Sequence, residues 1–170
     1  AMIFVSTSCL KENKSVKQVI KEYVKIGIKN IELGPPHKYE EGILEFIKNI
    51  KKQHNIQFTL HGYFPPQKEQ LIVNLASQNP HIRKSSIEHI KKMVDIALEI
   101  SAELCSFHAG FLVDPEKLGQ PFDKNMRCQY EDAYKTFLLS VIEICKYAEG
   151  KKIKIAFENN EASYYNLING

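Results

Sequence analysis

The sequence has no tryptophan, few cysteines, little net charge and no long apolar run. A formal net charge of +3 over 170 residues is too small to indicate, by itself, binding to nucleic acid or to an acidic membrane surface. No run approaches the roughly 18–20 apolar residues of a membrane span, and the beginning of the chain does not resemble a signal peptide. The composition, 44% hydrophobic and 25% charged, is typical of one soluble domain with its own core.

The cysteines show neither a CxxC pair nor the spacing of a zinc finger. We therefore expect free thiols in a reducing cytosol, and hence a cytoplasmic location. The four are Cys9, Cys105, Cys128 and Cys145. Ala1 before Met2 is interpreted as a cloning remnant and has no part in the fold prediction.

Strand-like and helix-like segments alternate along the chain, because each short apolar run is followed by a run with helical spacing. The predicted strands lie at residues 2–7, 30–34, 56–62, 103–109 and 153–158. The predicted helices lie at about 16–26, 40–53, 81–100 and 127–148, with Ser15 as the first N-cap, Gly27 at the end of the first helix and Pro80 at the entry of the third.

This order predicts a parallel α/β fold, either a doubly wound sheet or a (β/α)8 barrel of TIM type. A complete barrel takes about 250 residues, whereas this chain has only five predicted strands. If the fold is the barrel, residues 2–170 would form a single domain that is a partial barrel containing about the first five strands. The other strands would come from a longer protein or from a second copy.

Four of the predicted strands carry a metal-capable or acidic side chain at their C-terminal ends, namely Glu32, His61, His108 and Glu158. Ligands of parallel α/β folds bind outside the carboxyl ends of the strands, so these side chains are expected to converge on one rim. A buried carboxylate is costly unless it is paired, protonated or metal-bound. Imidazole together with carboxylate suits zinc, manganese or iron.

Each of these residues also has a plain structural interpretation. His61 alone can cap a loop by hydrogen bonding, and Glu158 can form a salt bridge with a lysine. Glu32 either fills the barrel as a polar plug or contacts substrate. The pair of strand-end histidines favours a ligand site, because a glycine that leaves room for a ligand lies within two residues of each. The remaining histidines are expected to be solvated and receive no role: His37, His54, His81 and His89.

Several motifs together resemble the xylose-isomerase-like TIM-barrel superfamily, which includes sugar-phosphate isomerases and epimerases and endonuclease-IV-type AP endonucleases. The resemblance covers essentially the whole chain and implies a TIM-type barrel, with about the first five strands in residues 2–170. It is carried by Ile31-Glu32-Leu33-Gly34, His61-Gly62-Tyr63-Phe64-Pro65-Pro66, Val73-Asn74-Leu75-Ala76-Ser77, Arg83-Lys84-Ser85-Ser86-Ile87, Ser106-Phe107-His108-Ala109-Gly110 and Ala156-Phe157-Glu158-Asn159.

The resemblance implies different chemistry in the two branches. In the isomerase and epimerase branch, Glu158 binds a divalent metal (zinc, manganese or magnesium) and serves as the proton-transfer base, with His108 and His61 in the metal shell or on the substrate. A glutamate from the last strand is the acid/base partner. In the endonuclease branch, the same three residues bind a cluster of zinc ions that hydrolyses the phosphodiester beside an abasic site. The resemblance implies substrate contacts at His61 and His108. From the residues themselves we also expect substrate contacts at Glu32, Tyr63, Phe64 and Asn159, where Tyr63 and Phe64 could stack on a base or a sugar equally well.

We favour a carbohydrate substrate over nucleic acid, because the lysines fall mostly on predicted outer helix faces and turns. The loop after His61 also looks longer than in the endonuclease branch, and the segment Phe111–Asn125 is predicted to be a lid over a small polar substrate. The ligands that later strands supply in either branch have no counterpart here. A non-catalytic module that needs a partner is therefore a third hypothesis. The lysines are Lys48, Lys51, Lys52, Lys91, Lys92, Lys151 and Lys152.

Overall fold

The computed structural model describes residues 2–10, 14–34, 38–68, 71–116 and 123–158. In this part of the chain, strands and α-helices alternate as the sequence predicts. The strands are β1 (Val5–Ser6), β2 (Asn30–Leu33), β3 (Gln57–His61), β4 (Leu104–His108) and β5 (Lys154–Glu158). The helices are α1 (Val16–Lys25), α2 (Ile43–His54), α3 (Pro80–Glu99) and α4 (Tyr130–Ala148), with 3-10 turns at Thr7–Leu10 and Lys124–Met126.

The strands form one sheet in the order in which they occur in the chain, β1-β2-β3-β4-β5. The pairs β1–β2, β2–β3 and β3–β4 are parallel. Their registers place Ser6 opposite Glu32, and His61 opposite Ser106. A parallel sheet of sequential neighbours brings the carboxyl ends of the strands to one edge, which confirms the predicted parallel α/β architecture.

Helix α1 shows why the local sequence folds as it does. The Ser15 side chain accepts a hydrogen bond from the Gln18 backbone while the Gln18 side chain accepts one from the Ser15 backbone, so a capping box fixes the start of the helix. Residues at spacings of three and four then form the buried face, and the Tyr23 hydroxyl donates to the Ser6 carbonyl at 2.7 Å. The buried residues are Val16, Val19, Ile20 and Tyr23.

The chain divides into two compact units. The first comprises Ala1–Leu71, Met93–Phe107 and Gly150–Ala156, and the second comprises Ile72–Lys92, His108–Glu149 and Phe157–Gly170. In the first unit, fully buried aliphatic side chains come from β2, β3 and α2. In the second unit, the buried residues come from the segment before α3, from α3 and from α4. They are Ile31, Leu33, Ile47 and Leu60 in the first unit and Leu75, Ile90 and Ile144 in the second.

The predicted and observed bounds differ by one to three residues at most element ends, and β1 begins at Val5 rather than residue 2. β1 ends at Ser6 rather than residue 7, because Thr7 begins a 3-10 turn and its hydroxyl binds the backbone N–H and carbonyl of Gly34 instead. α2 begins at Ile43 rather than about residue 40, because Gly42 is in the left-handed region at φ +67°. α4 begins at Tyr130 rather than about residue 127.

His89 corrects the expectation that the other histidines are solvated. It lies on α3 and is only 6% exposed, whereas His54 and His81 are exposed as expected. The helical position alone did not reveal that His89 belongs to the inner face. His37 lies outside the described residues. Among the described helices, none has the length and apolar character needed to cross a membrane.

Candidate metal centre

The carboxyl ends of β3 and β4 position the first part of the candidate site. His61 is the last residue of β3 and pairs in register with Ser106 of β4. The His61 Nδ1 atom lies 2.9 Å from Ser106 Oγ, and the Gly62 backbone donates to the Ser106 carbonyl at 2.8 Å. Because Ser106 engages Nδ1, Nε2 would be the nitrogen that donates to a metal ion.

His108 and Glu158 occupy the same place on the next two strands. Each is the last residue of its strand, β4 and β5 respectively. One ligand atom from each of His61, His108 and Glu158 lies within 4.8 Å of the other two. The three side chains that the sequence selected as metal ligands are therefore brought together, and each remains partly accessible to solvent.

The donor set fits a divalent ion of borderline hardness. Two imidazoles and one carboxylate form the ligand combination of many zinc sites, in which three protein ligands leave a position for substrate or water. Ligand atoms at about 2.0–2.2 Å from one tetrahedral zinc ion lie roughly 3.4 Å apart. The observed separations within 4.8 Å therefore come within reach of one ion after small side-chain rotations.

Glu32 lies apart from this cluster, near β1. It is half-buried and pairs in register with Ser6. A Cβ added at Gly34 would lie 2.7 Å from Ser6 Oγ and 3.7 Å from Glu32 Oε1. The rim at β1 and β2 is thus a tightly packed polar corner rather than part of the group of three.

The two aromatic residues that follow His61 have different surroundings. Tyr63 is partly exposed, whereas Phe64 is 1% exposed and is one of the largest fully buried side chains. The Phe64 ring is therefore part of the core, and the predicted substrate contact at Phe64 stays a prediction. Tyr63 stays a candidate contact, and Asn159 lies outside the described residues.

Sequence reasoning missed Ser106 as a member of the site. Ser106 and His108 are two residues apart on β4, so they lie on the same face of the sheet. A serine that is buried in an otherwise apolar strand needs a hydrogen-bond partner. His61, at the end of the neighbouring strand β3, is that partner. The hydroxyl between apolar neighbours was the signal in the sequence.

Three of the lysines considered for nucleic-acid binding form ion pairs within the protein. Lys48 pairs with Glu99, Lys91 with Glu143 at 2.6 Å, and Lys151 with Asp95 at 2.9 Å. These pairs neutralise charge that a phosphate backbone would otherwise meet.

Comparison with known proteins agrees with this fold. The sequence profile of the family described as xylose isomerase-like TIM barrel matches residues 20–169. The chain belongs to that family. The predicted fold class, a TIM-type barrel of which about five strands are present here, is thereby confirmed. No curated protein matches the chain by sequence.

Solved structures with the same fold include sugar epimerases. A D-tagatose 3-epimerase-like protein is 19% identical with a TM-score of 0.69, over 96% of this chain and 55% of that chain. A D-psicose 3-epimerase from Clostridium cellulolyticum H10, solved with D-tagatose, is 18% identical with a TM-score of 0.64, over 91% of this chain and 49% of that chain.

A third structure of this fold was soaked with zinc. The TTHB071 protein from Thermus thermophilus, soaked with ZnCl2, is 13% identical with a TM-score of 0.58, over 93% of this chain and 55% of that chain. The chain therefore spans about half the length of the xylose isomerase-like structures that it matches. At these identities the likeness establishes the fold and leaves the activity to the chemistry of the site.

Proposed function

We propose that this chain provides the metal-binding half of a divalent-metal-dependent isomerase or epimerase that acts on a sugar, a sugar phosphate or a similar polyol. One observation carries the proposal, namely the convergence of His61, His108 and Glu158 within 4.8 Å at the carboxyl ends of three successive strands. The likeness to sugar 3-epimerases supports the substrate class.

Each residue has a distinct part in the proposed chemistry. His61, His108 and Glu158 would hold a divalent metal, which would supply polarisation of a carbonyl or hydroxyl oxygen of the substrate and so acidify the neighbouring C–H bond. The Glu158 carboxylate would accept that proton as general base. In an isomerisation it would return the proton to the adjacent carbon, and in an epimerisation an opposing acid would deliver a proton to the other face of the same carbon. His61, oriented by Ser106, and His108 supply neutral nitrogen donors. Tyr63, partly exposed next to His61, contacts the substrate.

Later strands of a complete barrel would supply the opposing acid/base carboxylate and the remaining ligands. We therefore propose that residues 2–170 work with further β/α units, either from a longer chain or from a second copy. An apolar face on α4 supports this, since side chains at four-residue intervals are exposed there: Tyr130, Tyr134, Leu138 and Ile142. Analytical ultracentrifugation of the chain tests the second-copy version, because a strictly monomeric protein at micromolar concentration would contradict it.

Metal content and affinity test the proposed centre directly. Wild-type protein is dialysed without chelator, analysed by elemental mass spectrometry, and titrated with Mn²⁺ or Zn²⁺ alone by calorimetry. About one tightly bound ion per chain is expected. Glu158→Gln and His108→Ala each remove one ligand, and each should weaken affinity at least tenfold.

His54→Ala is the matched control for the histidine variants. His54 is an exposed histidine at the end of α2 and is not part of the group of three. Its removal should leave metal affinity unchanged, while His61→Ala should lower it. Equal losses in His54→Ala and His61→Ala would mean that binding is nonspecific, and the proposed centre would be wrong.

The second candidate function is zinc-dependent cleavage of DNA at abasic sites. Two histidine ligands favour zinc, and that donor set is the observation in its favour. The same mass spectrometry separates the alternatives, since two or three zinc ions per chain would support the endonuclease and one ion the isomerase. A chain that binds no metal, in wild type or variants, would leave the non-catalytic binding module as the best interpretation.

A further inference from the structure

Asn74 has an unusual environment for a side chain outside the group of three. It lies before α3 and is 0% exposed. Its Nδ2 donates to Asp114 Oδ1 at 2.7 Å and to the Val113 carbonyl at 3.3 Å, and its Oδ1 accepts from the Phe111 and Ala76 backbones at 2.9 and 3.1 Å. These four bonds use the full hydrogen-bonding capacity of a carboxamide, so its orientation is determined.

Asp114 completes the arrangement from the opposite side. Its Oδ1 accepts from Asn74, and its Oδ2 accepts from the Ser77 hydroxyl at 2.8 Å. Ser86 of α3 accepts from the Asn74 backbone N–H at 2.9 Å. One carboxamide and one carboxylate thus connect the segment before α3 to residues 111–114, which follow β4 directly.

Gly110 shows how closely the two segments approach. It has φ +131°, a conformation that side chains rarely adopt. A Cβ added there would lie 2.5 Å from Asn74 Oδ1 and about 3 Å from the backbone nitrogens of Leu75 and Ala76. The segment after β4 therefore lies against Asn74 with no room for a side chain, only two residues after His108.

We infer that the Asn74–Asp114 pair is a positioning device that holds residues 108–114 and thereby presents His108 to the metal. The hydrogen bonds of Asn74 and the close approach of Gly110 support the claim that the pair holds residues 108–114, independently of any function. The claim that it presents His108 to a metal rests on the proposed metal centre. Asn74 bonds to the backbone of Phe111 and Val113, so the pair acts on His108 through the chain that follows it.

Asn74→Asp is the most specific single substitution, because the two side chains have the same shape and only the Nδ2 hydrogen-bond donors are lost. A carboxylate oxygen would then replace Nδ2 at 2.7 Å from Asp114 Oδ1, and two like charges would repel. We expect faster deuterium exchange in the 108–114 peptide, measured by mass spectrometry. Affinity for Mn²⁺ or Zn²⁺ alone should fall about tenfold, in the range found when supporting partners of metal ligands are lost.

The swapped double variant Asn74→Asp/Asp114→Asn distinguishes positioning from general damage. It restores a donor and an acceptor across the pair with the polarity reversed, while Ser77 can still donate to the new amide oxygen. Only the 3.3 Å bond to the Val113 carbonyl stays lost. Exchange in residues 108–114 should return close to wild type, and metal affinity to within about threefold.

Ser140→Ala is the matched control within the same unit. Ser140 is equally buried, and its hydroxyl donates to the Leu75 carbonyl at 2.8 Å, so its loss lowers the melting temperature. Exchange in residues 108–114 and metal affinity should nevertheless stay unchanged. If Asn74→Asp does not fold, Asp114→Ala removes the pair from the other side and should show the same increase in exchange.

The two readouts separate this inference from the proposed function. Faster exchange in Asn74→Asp that the swap reverses supports the positioning pair, even if wild type binds no metal, an outcome that would defeat only the proposed centre. Exchange that does not change in Asn74→Asp, or that the swap fails to reverse, overturns the pair. Metal binding by wild type that is unaffected in Asn74→Asp overturns its link to His108.

Discussion

Strands β4 and β5 invite comparison because both have five residues and both end in a residue of the candidate centre. The three middle residues of β4 are buried, and Phe107 is 1% exposed. The middle of β5 is only half-buried, and Phe157 is 38% exposed, with an edge-to-face contact to Phe137. β5 is the last strand in the order of the sheet.

The two strands therefore hold their residues of the candidate centre unequally firmly. His108 extends from a strand that the core holds on both faces, and its following loop is fixed by Asn74 and Asp114. Glu158 extends from a terminal strand with fewer packed neighbours. Buried strands open only with the whole fold, whereas terminal and exposed segments open locally at lower free energy. The base in the proposed reaction therefore depends most on further packing or on bound metal.

The largest expected effect is a difference in unfolding free energy between alanine variants of Phe107 and Phe157. Phe107→Ala removes a fully buried ring and should lower the free energy of unfolding by about 3–5 kcal/mol. Phe157→Ala removes a partly exposed ring and should lower it by about 1 kcal/mol. Urea unfolding followed by circular dichroism measures both, and equal losses would show that the two strands are equally packed.

The next largest effect is expected in the stability cost of glycine substitutions in the loops beside the two strands. Gly110→Ala after β4 meets Asn74 and two backbone nitrogens, and it should cost about 2–4 kcal/mol from strain and overpacking. Gly150→Ala before β5 has φ +74° but nothing within 4 Å, so only the backbone cost of about 1–2 kcal/mol applies. Thermal unfolding of the two glycine variants measures these costs. A smaller loss of stability in Gly110→Ala than in Gly150→Ala would contradict the close approach of Gly110 to Asn74.

A smaller effect is expected from the hydroxyl that orients His61. Ser106→Ala removes the 2.9 Å contact to Nδ1 and should weaken binding of Mn²⁺ or Zn²⁺ about tenfold, which is about 1.4 kcal/mol. Ser106→Thr retains a hydroxyl and should preserve most of the affinity. Calorimetric titration measures both variants, and the same loss in each would exclude a role for the hydroxyl.

The smallest expected effect concerns the reaction of Cys105 in β4 with a thiol reagent. Burial raises the pKa of Cys105 to about 12, so at pH 8 only about one thiol in ten thousand is ionised. Iodoacetamide should modify the exposed Cys9 and Cys145 in the native protein, and Cys105 only after unfolding. Peptide mass spectrometry locates the label, and rapid native labelling of Cys105 would show that β4 opens.

The same thiol has a consequence for stability. Its folded pKa lies above the ordinary value of 9.0, so the folded state disfavours the thiolate. The contribution of Cys105 is fully present below about pH 9 and is lost as the pH rises toward 12. Cys105→Ala should remove this alkaline loss, which unfolding measured from about pH 8 to about pH 11 detects.

Much of the fold was predictable because local rules are sufficient for it. The capping residue Ser15, the helix end near Gly27 and Pro80 at the entry of α3 all have the predicted positions. The strand-end rule was enough to select His61, His108 and Glu158, since parallel strands share one carboxyl edge. One departure from prediction arises from a distant partner, since the Thr7 hydroxyl bonds to the backbone of Gly34.

Other features depend on pairings that no local pattern encodes. Adjacent aromatic residues Tyr63 and Phe64 look alike in the sequence, yet only Phe64 is buried. The bond between Asn74 and Asp114 joins residues 40 positions apart. Such contacts arise when several elements pack at once, so they are properties of the assembled fold.

The alternation of strands and helices, the parallel order and the three side chains at the carboxyl edge follow from the amino-acid sequence, because periodicity and strand direction depend on local chemistry. Three features are visible only in the folded chain: the contact of Ser106 with His61, the bonds of Asn74 and Asp114 to the segment after β4, and the lower burial of β5 than of β4. These outcomes depend on which distant surfaces meet, and close packing rather than local propensity selects them.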